Sequence, residues 1–183
     1  MSLVGFKARN HPQQTTRDEV DDRRTPRAFF DRLHRDRCFT VDAAASAANA
    51  MLPVFWTIAD DALWQSWYGH RVWCNPPYSN ITPWVAKAWD AMLTEGAISI
   101  DMLLPANRTE QRWWQQHVEP YRDGRCSRVA APRTPFSIAS SVRLDTEFSA
   151  GRLRFEHADG PIRSAKNSGP PFGVVLLTWR RVA

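Results

Sequence analysis

Cysteine, lysine and long apolar runs are what this sequence has least of. Its three cysteines, Cys38, Cys74 and Cys126, stand far apart, with no CxxC pair and no Cys/His ligand spacing. That spacing excludes a structural zinc site, so no metal is expected and the thiols read as reduced. His34, His70 and His117 show no ligand spacing either and read as surface or hydrogen-bonded residues. No apolar stretch approaches the roughly 20 residues that a membrane span needs, so no membrane partner is expected. The start lacks the charged-then-apolar pattern of a secretory signal, which makes the cytoplasm the expected location. There is no internal repeat. A chain of 183 residues suits one domain with a proper core.

What is present is positive charge, carried mostly by arginine. The net charge is +5 and the pI is about 9.6. Such a balance favours an anionic partner, nucleic acid foremost, because cationic side chains on phosphates release counterions. Many basic proteins bind no nucleic acid, so charge alone leaves both readings open. Residues 1–22 are polar, mixed in charge and non-periodic, and predict a flexible N-terminal arm. The body is predicted to span 23–183.

The body opens at "RRTPRAFFDRLHR". Thr25 is the expected N-cap and Pro26 the first helical residue. Phe29, Phe30 and Leu33 then share one helical face. A short strand is expected over Cys38–Val41, ending at Asp42, and another at "RVWC", residues 71–74. A second helix begins after residue 80, capped by Thr82 or Ser79, with Pro83 in its first turn. Ile81, Trp84, Val85, Ala88, Trp89 and Met92 make its apolar stripe, and Gly96 ends it. Trp84 and Trp89 therefore read as core. "AISIDMLLP" predicts a buried strand and "RTEQRWWQQHVEPY" a helix. Trp113 and Trp114 are adjacent, so one of them is expected to point outward. "RLRFEH" and "FGVVLLTW" read as two closing strands, and 131–150 as a long loop. The alternation predicts an α/β domain, largely parallel, with a C-terminal antiparallel hairpin.

One short segment carries chemistry. "VWCNPPYSN", residues 72–80, sets Asn75 at a strand end and follows it with two prolines and a tyrosine. In such folds ligands bind at the carboxyl ends of the strands. An exocyclic amino group on a base is a poor nucleophile, because its lone pair is delocalised into the ring. The Asn75 amide oxygen can accept one of its hydrogens and the Pro76 carbonyl the other. Pro77 stiffens the turn, and Tyr78 can stack on a base held outside the duplex. Taken alone, an NPP turn reads more readily as mere punctuation after a strand.

More of the chain supports the chemical reading. "TPRAFFDRL", "FTVDAAASAANA", "DALWQSWYGHRVWCNPPYSNITPWVAKAW", "MLLPANRTEQRWW", "GRLRF" and "PPFGVVLLTW" occur in that order. From about Thr25 to Trp179 the sequence resembles the phage and prophage DNA N6-adenine methyltransferases, relatives of the Dam enzymes. The resemblance implies a small Rossmann-like sheet that transfers the methyl of S-adenosyl-L-methionine to N6 of adenine in DNA. It implies Asn75, Pro76, Pro77 and Tyr78 as the catalytic motif, and Thr25 and Pro26 as cofactor contacts. Asp42 and Ala43 match the cofactor-side "DAAAS" segment, with Asn75 between cofactor and base. Asp42 also reads equally well as a turn or capping aspartate. Leu104-Pro105-Ala106 either borders the adenine site or simply ends a strand. A phage enzyme would work in the host cytoplasm.

The chain departs from the wider methyltransferase pattern in one loop. Where most such enzymes carry a glycine-rich turn, this one has "DAAASAANA". Alanine does not take positive φ as glycine does, so the cofactor pocket is expected to be shaped differently. No separate recognition domain fits in this length. Arg133 and Arg143, in the expected 131–150 loop, are therefore the candidate DNA contacts. Rival readings are an NPPY methyltransferase acting on RNA guanine N2 or on release-factor glutamine, and a catalytically silent DNA-binding domain.

Overall fold

The computed structural model describes residues 23–129, 141–157 and 172–182. The 1–22 arm and Arg133 lie outside the described residues. The elements are β1 (Arg23–Arg24), α1 (Arg27–Arg37), β2 (Val41–Asp42), β3 (Arg71–Cys74), α2 (Thr82–Asp90), β4 (Ser99–Pro105), α3 (Arg112–His117), β5 (Arg128–Val129), β6 (Ser141–Phe148), β7 (Glu156–His157) and β8 (Val174–Val182). Six strands form one sheet in the order β2-β3-β4-β8-β6-β5. β2, β3 and β4 run parallel; β8, β6 and β5 join antiparallel. The expected α/β class is observed, with a sheet that is half parallel rather than largely so.

Side-chain alternation explains the layering. Val72, Cys74, Ile100, Met102, Leu104, Val175, Leu177 and Trp179 point to one face, where Val85, Ala88, Trp89 and Met92 of the α2 segment pack. Trp73, Leu103, Val174 and Leu176 point to the other face, against Phe30 and Leu33 of α1. Strands buried on both faces read as continuous apolar runs, and "MLLP" and "VVLL" are such runs. The α2 stripe is buried as expected, except that Trp84 is only half-buried. α2 continues as a π-helical turn, Ala91–Glu95, and ends where Gly96 takes a φ of 92°. That left-handed position suits glycine.

Several boundaries differ from expectation. Pro26, not Thr25, is the N-cap of α1, with extended backbone and no side-chain cap. Its carbonyl accepts from Phe29 and Phe30 at 3.0 and 3.1 Å, so the helix starts without help from Thr25. Neither Ser79 nor Thr82 caps α2: Ile81 is the N-cap, already helical, and Pro83 lies in the first turn as expected. α1 runs on through Arg37, and Cys38 closes it in the left-handed conformation. The first strand of the main sheet is therefore Val41–Asp42, shorter and later than the expected Cys38–Val41.

The closing hairpin is the larger correction. Only Glu156–His157 of "RLRFEH" is strand, and it pairs with Arg23–Arg24 away from the main sheet. The partner of β8 is Ser141–Phe148, inside the segment expected to be loop. Its signal is a period of two: Val142 and Leu144 are buried while Arg143 between them is exposed. Trp113 and Trp114 are both buried, against the expectation that one faces out. Each indole N–H has a nearby acceptor, Gln111 Oε1 at 2.9 Å and Glu119 Oε2 at 2.8 Å, which lets both rings go inside. Among the described residues, no helix is long and apolar enough to cross a membrane.

Candidate active site

Three neighbouring strands deliver the site. β2 and β3 pair with Val41 opposite Val72 and Asp42 opposite Trp73. β3 and β4 pair with Cys74 opposite Met102. Asp42, Asn75 and the Pro105–Ala106 turn therefore emerge at one edge, the carboxyl end of the parallel strands. The Ala43 N–H donates to the Trp73 carbonyl at 2.8 Å, which ties the two strand ends together. Cys74, one residue before Asn75, is buried, and burial pushes its thiol pKa well up, with Asp42 adding to the effect. It is an inert packing residue rather than a nucleophile.

Asp42 is 2% exposed. Its Oδ2 accepts from the Met51 N–H at 3.0 Å and its Oδ1 from the Ala44 N–H at 3.4 Å. The carboxylate thus holds both ends of the alanine-rich loop. This geometry realises the turn-aspartate reading and leaves acceptor capacity over, since a carboxylate offers about four lone-pair sites. Burial raises its pKa to about 6, against the smaller lowering effect of those two backbone bonds. None of the alanines takes positive φ; among the described non-glycine residues only Cys38, Asp61 and Asp123 do. The loop therefore turns on Asp42 and on Asn49, whose Oδ1 accepts from the Ser46 N–H at 2.7 Å, rather than on glycine.

The N-terminal end of α1 reaches the same loop. Arg27 Nη1 donates to the Met51 carbonyl at 3.4 Å. Thr25 is buried and Pro26 half-buried just before it. Asp42 and Arg27, two residues after Thr25, thus both bond to the backbone of Met51.

Tyr78 stands three residues after Asn75, in the turn that follows β3. Its hydroxyl donates to Asn75 Oδ1 at 3.1 Å, which fixes the side-chain amide. Its ring packs against Phe155 and Phe172, with centroids 6.4 and 6.2 Å away. Its backbone carbonyl accepts from Arg108 Nη1 at 2.6 Å. Pro76 is buried and Pro77 half-buried in the turn. Phe155, Phe172 and Arg108 were missed as site residues by sequence reasoning. The signal was their place in "GRLRF", "PPFGVV" and "PANRTE", segments the resemblance quoted without assigning them a role.

Arg143 is placed elsewhere. It lies on β6 opposite Arg180, which is opposite Ser99, which is opposite Arg71 at the start of β3. That row is the edge remote from Asn75. Its guanidinium is 2.6 Å from Asp145. Among the described residues, no group of three His, Cys, Asp or Glu is arranged to hold a metal ion.

A family model described as DNA N-6-adenine-methyltransferase (Dam) matches residues 13–181. The chain belongs to the Dam family. The match starts inside the 1–22 segment expected to be an arm. An Escherichia phage T1 protein named "DNA N-6-adenine-methyltransferase" is 37% identical over 108 residues, 57% of this chain. That alignment covers 44% of the phage protein, so the chain spans less than half the length of this relative. No solved structure matches the chain.

Proposed function

We propose that this Dam-family member transfers a methyl group from S-adenosyl-L-methionine to N6 of adenine in DNA, on a Rossmann-like sheet within 23–183. The observation that carries the reading is the Asn75-Pro76-Pro77-Tyr78 turn at the carboxyl edge of β3, beside the Asp42 loop. When bound, the cofactor would supply an electrophilic methyl on a sulfonium, with a thioether as the leaving group. The Asn75 amide oxygen, oriented by the Tyr78 hydroxyl, accepts a hydrogen bond from one N6 hydrogen. The Pro76 carbonyl takes the other. Held from both sides, the nitrogen directs electron density at the methyl and releases one proton to solvent. Tyr78 presents its ring to the base. Arg133 and Arg143 remain candidate phosphate contacts, with Asp145 competing for Arg143.

The chain's own residues fit the cofactor. Asp42 is a buried carboxylate with two backbone donors and spare lone pairs, beside the loop and the start of α1. It suits an ammonium or a ribose hydroxyl, with Thr25, Pro26 and Ala43 as walls. Titration then runs in two opposite directions. The folded pKa is raised, so the folded state holds the proton more tightly than the unfolded one between about 3.8 and 6. The fold gains stability as pH falls through that window; the ionised form costs about 3 kcal/mol at neutral pH as an upper figure. Cofactor affinity moves the other way and weakens as Asp42 is protonated below about pH 6. Calorimetric titration from pH 5 to 8 reads it, and Asp42→Asn is expected to bind more weakly with no pH dependence. Equal affinity in both proteins at every pH would remove Asp42 from the cofactor site.

Tyr78 has a second role beyond stacking. Tyr78→Phe keeps the ring but removes the hydroxyl's bond to the Asn75 amide, which costs about one neutral hydrogen bond, roughly 0.5–1.5 kcal/mol. A two- to tenfold loss in kcat is expected, and a much larger loss in Tyr78→Ala. Steady-state kinetics on duplex DNA reads both, and an unimpaired Tyr78→Phe enzyme shows that the hydroxyl does not orient Asn75. The reaction class itself is tested by offering labelled cofactor with DNA, RNA and release factor in parallel. Label in N6-methyladenine of DNA supports the reading; label only in RNA or release factor, or none, rejects it.

A further inference from the structure

We infer that Arg108 is a phosphate clamp for the target nucleotide, an inference that rests on the proposed DNA substrate. Arg108 lies between β4 and α3, at the same carboxyl edge as Asn75. One guanidinium nitrogen donates to the Tyr78 carbonyl at 2.6 Å, so the side chain is fixed to the turn that receives the base. The residue is half-buried. Of its five N–H donors, the structure uses those of one nitrogen, and among the described residues no carboxylate lies within ion-pair distance. Arg27, Arg37, Arg122, Arg125 and Arg143 each have an acidic partner within 4 Å. Arg108 is therefore a positive charge held in place at the mouth of the site with no carboxylate partner among the described residues.

A guanidinium presenting a rigid fork is matched to two oxygens of one phosphate. Two anions can reach this edge: a DNA phosphate and the carboxylate of the cofactor. The sheet order separates them. Asp42 ends β2, on one side of β3, whereas Arg108 follows β4, on the other, and is tied to the Tyr78 carbonyl. The base would stack on Tyr78, so the phosphate next to that base is the anion nearest Arg108.

The test uses the full chain. DNA affinity of the parent, R108A and R108K is measured by fluorescence anisotropy across a salt series, and cofactor affinity by calorimetry. One lost phosphate contact lowers the slope of log affinity against log salt by about 1 in R108A. R108K keeps the charge without the fork and is expected to keep the slope with weaker binding. Cofactor affinity is expected to stay at the parent value. As a check independent of folding, each phosphate around the target adenine is replaced in turn by an uncharged methylphosphonate. One replacement should weaken the parent as R108A does, and add nothing in R108A. An unchanged slope in R108A, or no position specific to the parent, overturns the clamp and leaves only a structural tie to Tyr78. Weakened cofactor binding with an unchanged DNA slope assigns Arg108 to the cofactor carboxylate and also overturns it. The slope is read on binding alone, so it decides the clamp separately from the reaction. Methyl transfer by the parent to unmodified duplex decides the underlying reading.

Discussion

Asn75→Ala is expected to lose about 10²–10³ of the methylation rate while keeping its fold and its affinity for cofactor. That magnitude is what removing one well-placed polar stabiliser of a reacting group costs. The reasoning is local. Asn75 is half-buried, its oxygen is oriented by the Tyr78 hydroxyl, and it follows a strand buried on both faces. Asn75 lies outside both buried apolar clusters, so circular dichroism and thermal melting should match the parent. Asn75→Asp keeps an acceptor but adds charge that DNA phosphates oppose, and it should fall between the two. Single-turnover transfer from labelled cofactor reads the chemical step directly. A fully active Asn75→Ala protein rules out the acceptor mechanism, and with it the central role given to this turn.

The second large effect is on stability. Asp101, in the middle of β4, is 1% exposed and accepts from the Thr178 hydroxyl at 2.6 Å and from Arg37 of α1. Arg37 also donates to Thr178 at 3.0 Å and lies 3.6 Å from Glu147. Burial lowers the Arg37 pKa and the nearby Arg180 charge adds to this, although a guanidinium stays protonated throughout. This network anchors the end of α1 to β4 and β8. Arg37→Ala leaves a buried carboxylate with one hydroxyl for company, and a loss of about 3–5 kcal/mol is expected. The double change Arg37→Met with Asp101→Leu removes both charges and should recover much of it, since apolar replacements of buried pairs are often neutral. Urea unfolding of the single and double variants measures the coupling. A loss below about 1 kcal/mol for Arg37→Ala would show that water reaches Asp101 and screens the charge.

The NPPY turn illustrates what was legible. Two prolines after a short apolar run end a strand by removing donors, and the stripe from Ile81 to Met92 starts a helix directly after them. Strand, turn and helix follow from neighbours in sequence, and the structure has all three. The alternation in β6 was legible in principle, as Val142 and Leu144 show, but charged residues between them made it read as loop.

What the sequence determined by itself is the set of elements around residues 71–105 and the place of Asn75 and Tyr78 in the turn that ends a strand, because these rest on local backbone rules and residue type. Only the tertiary structure decided that β8 inserts antiparallel between β4 and β6, that Trp113 and Trp114 both go inside, and that Arg37 finds Asp101 64 residues away. It alone joined Arg108 to Tyr78, 30 residues apart. The reason is physical. Strand order and buried charge pairing are chosen by which distant faces can be covered and which donors can reach an acceptor, and neither leaves a periodic mark in the chain.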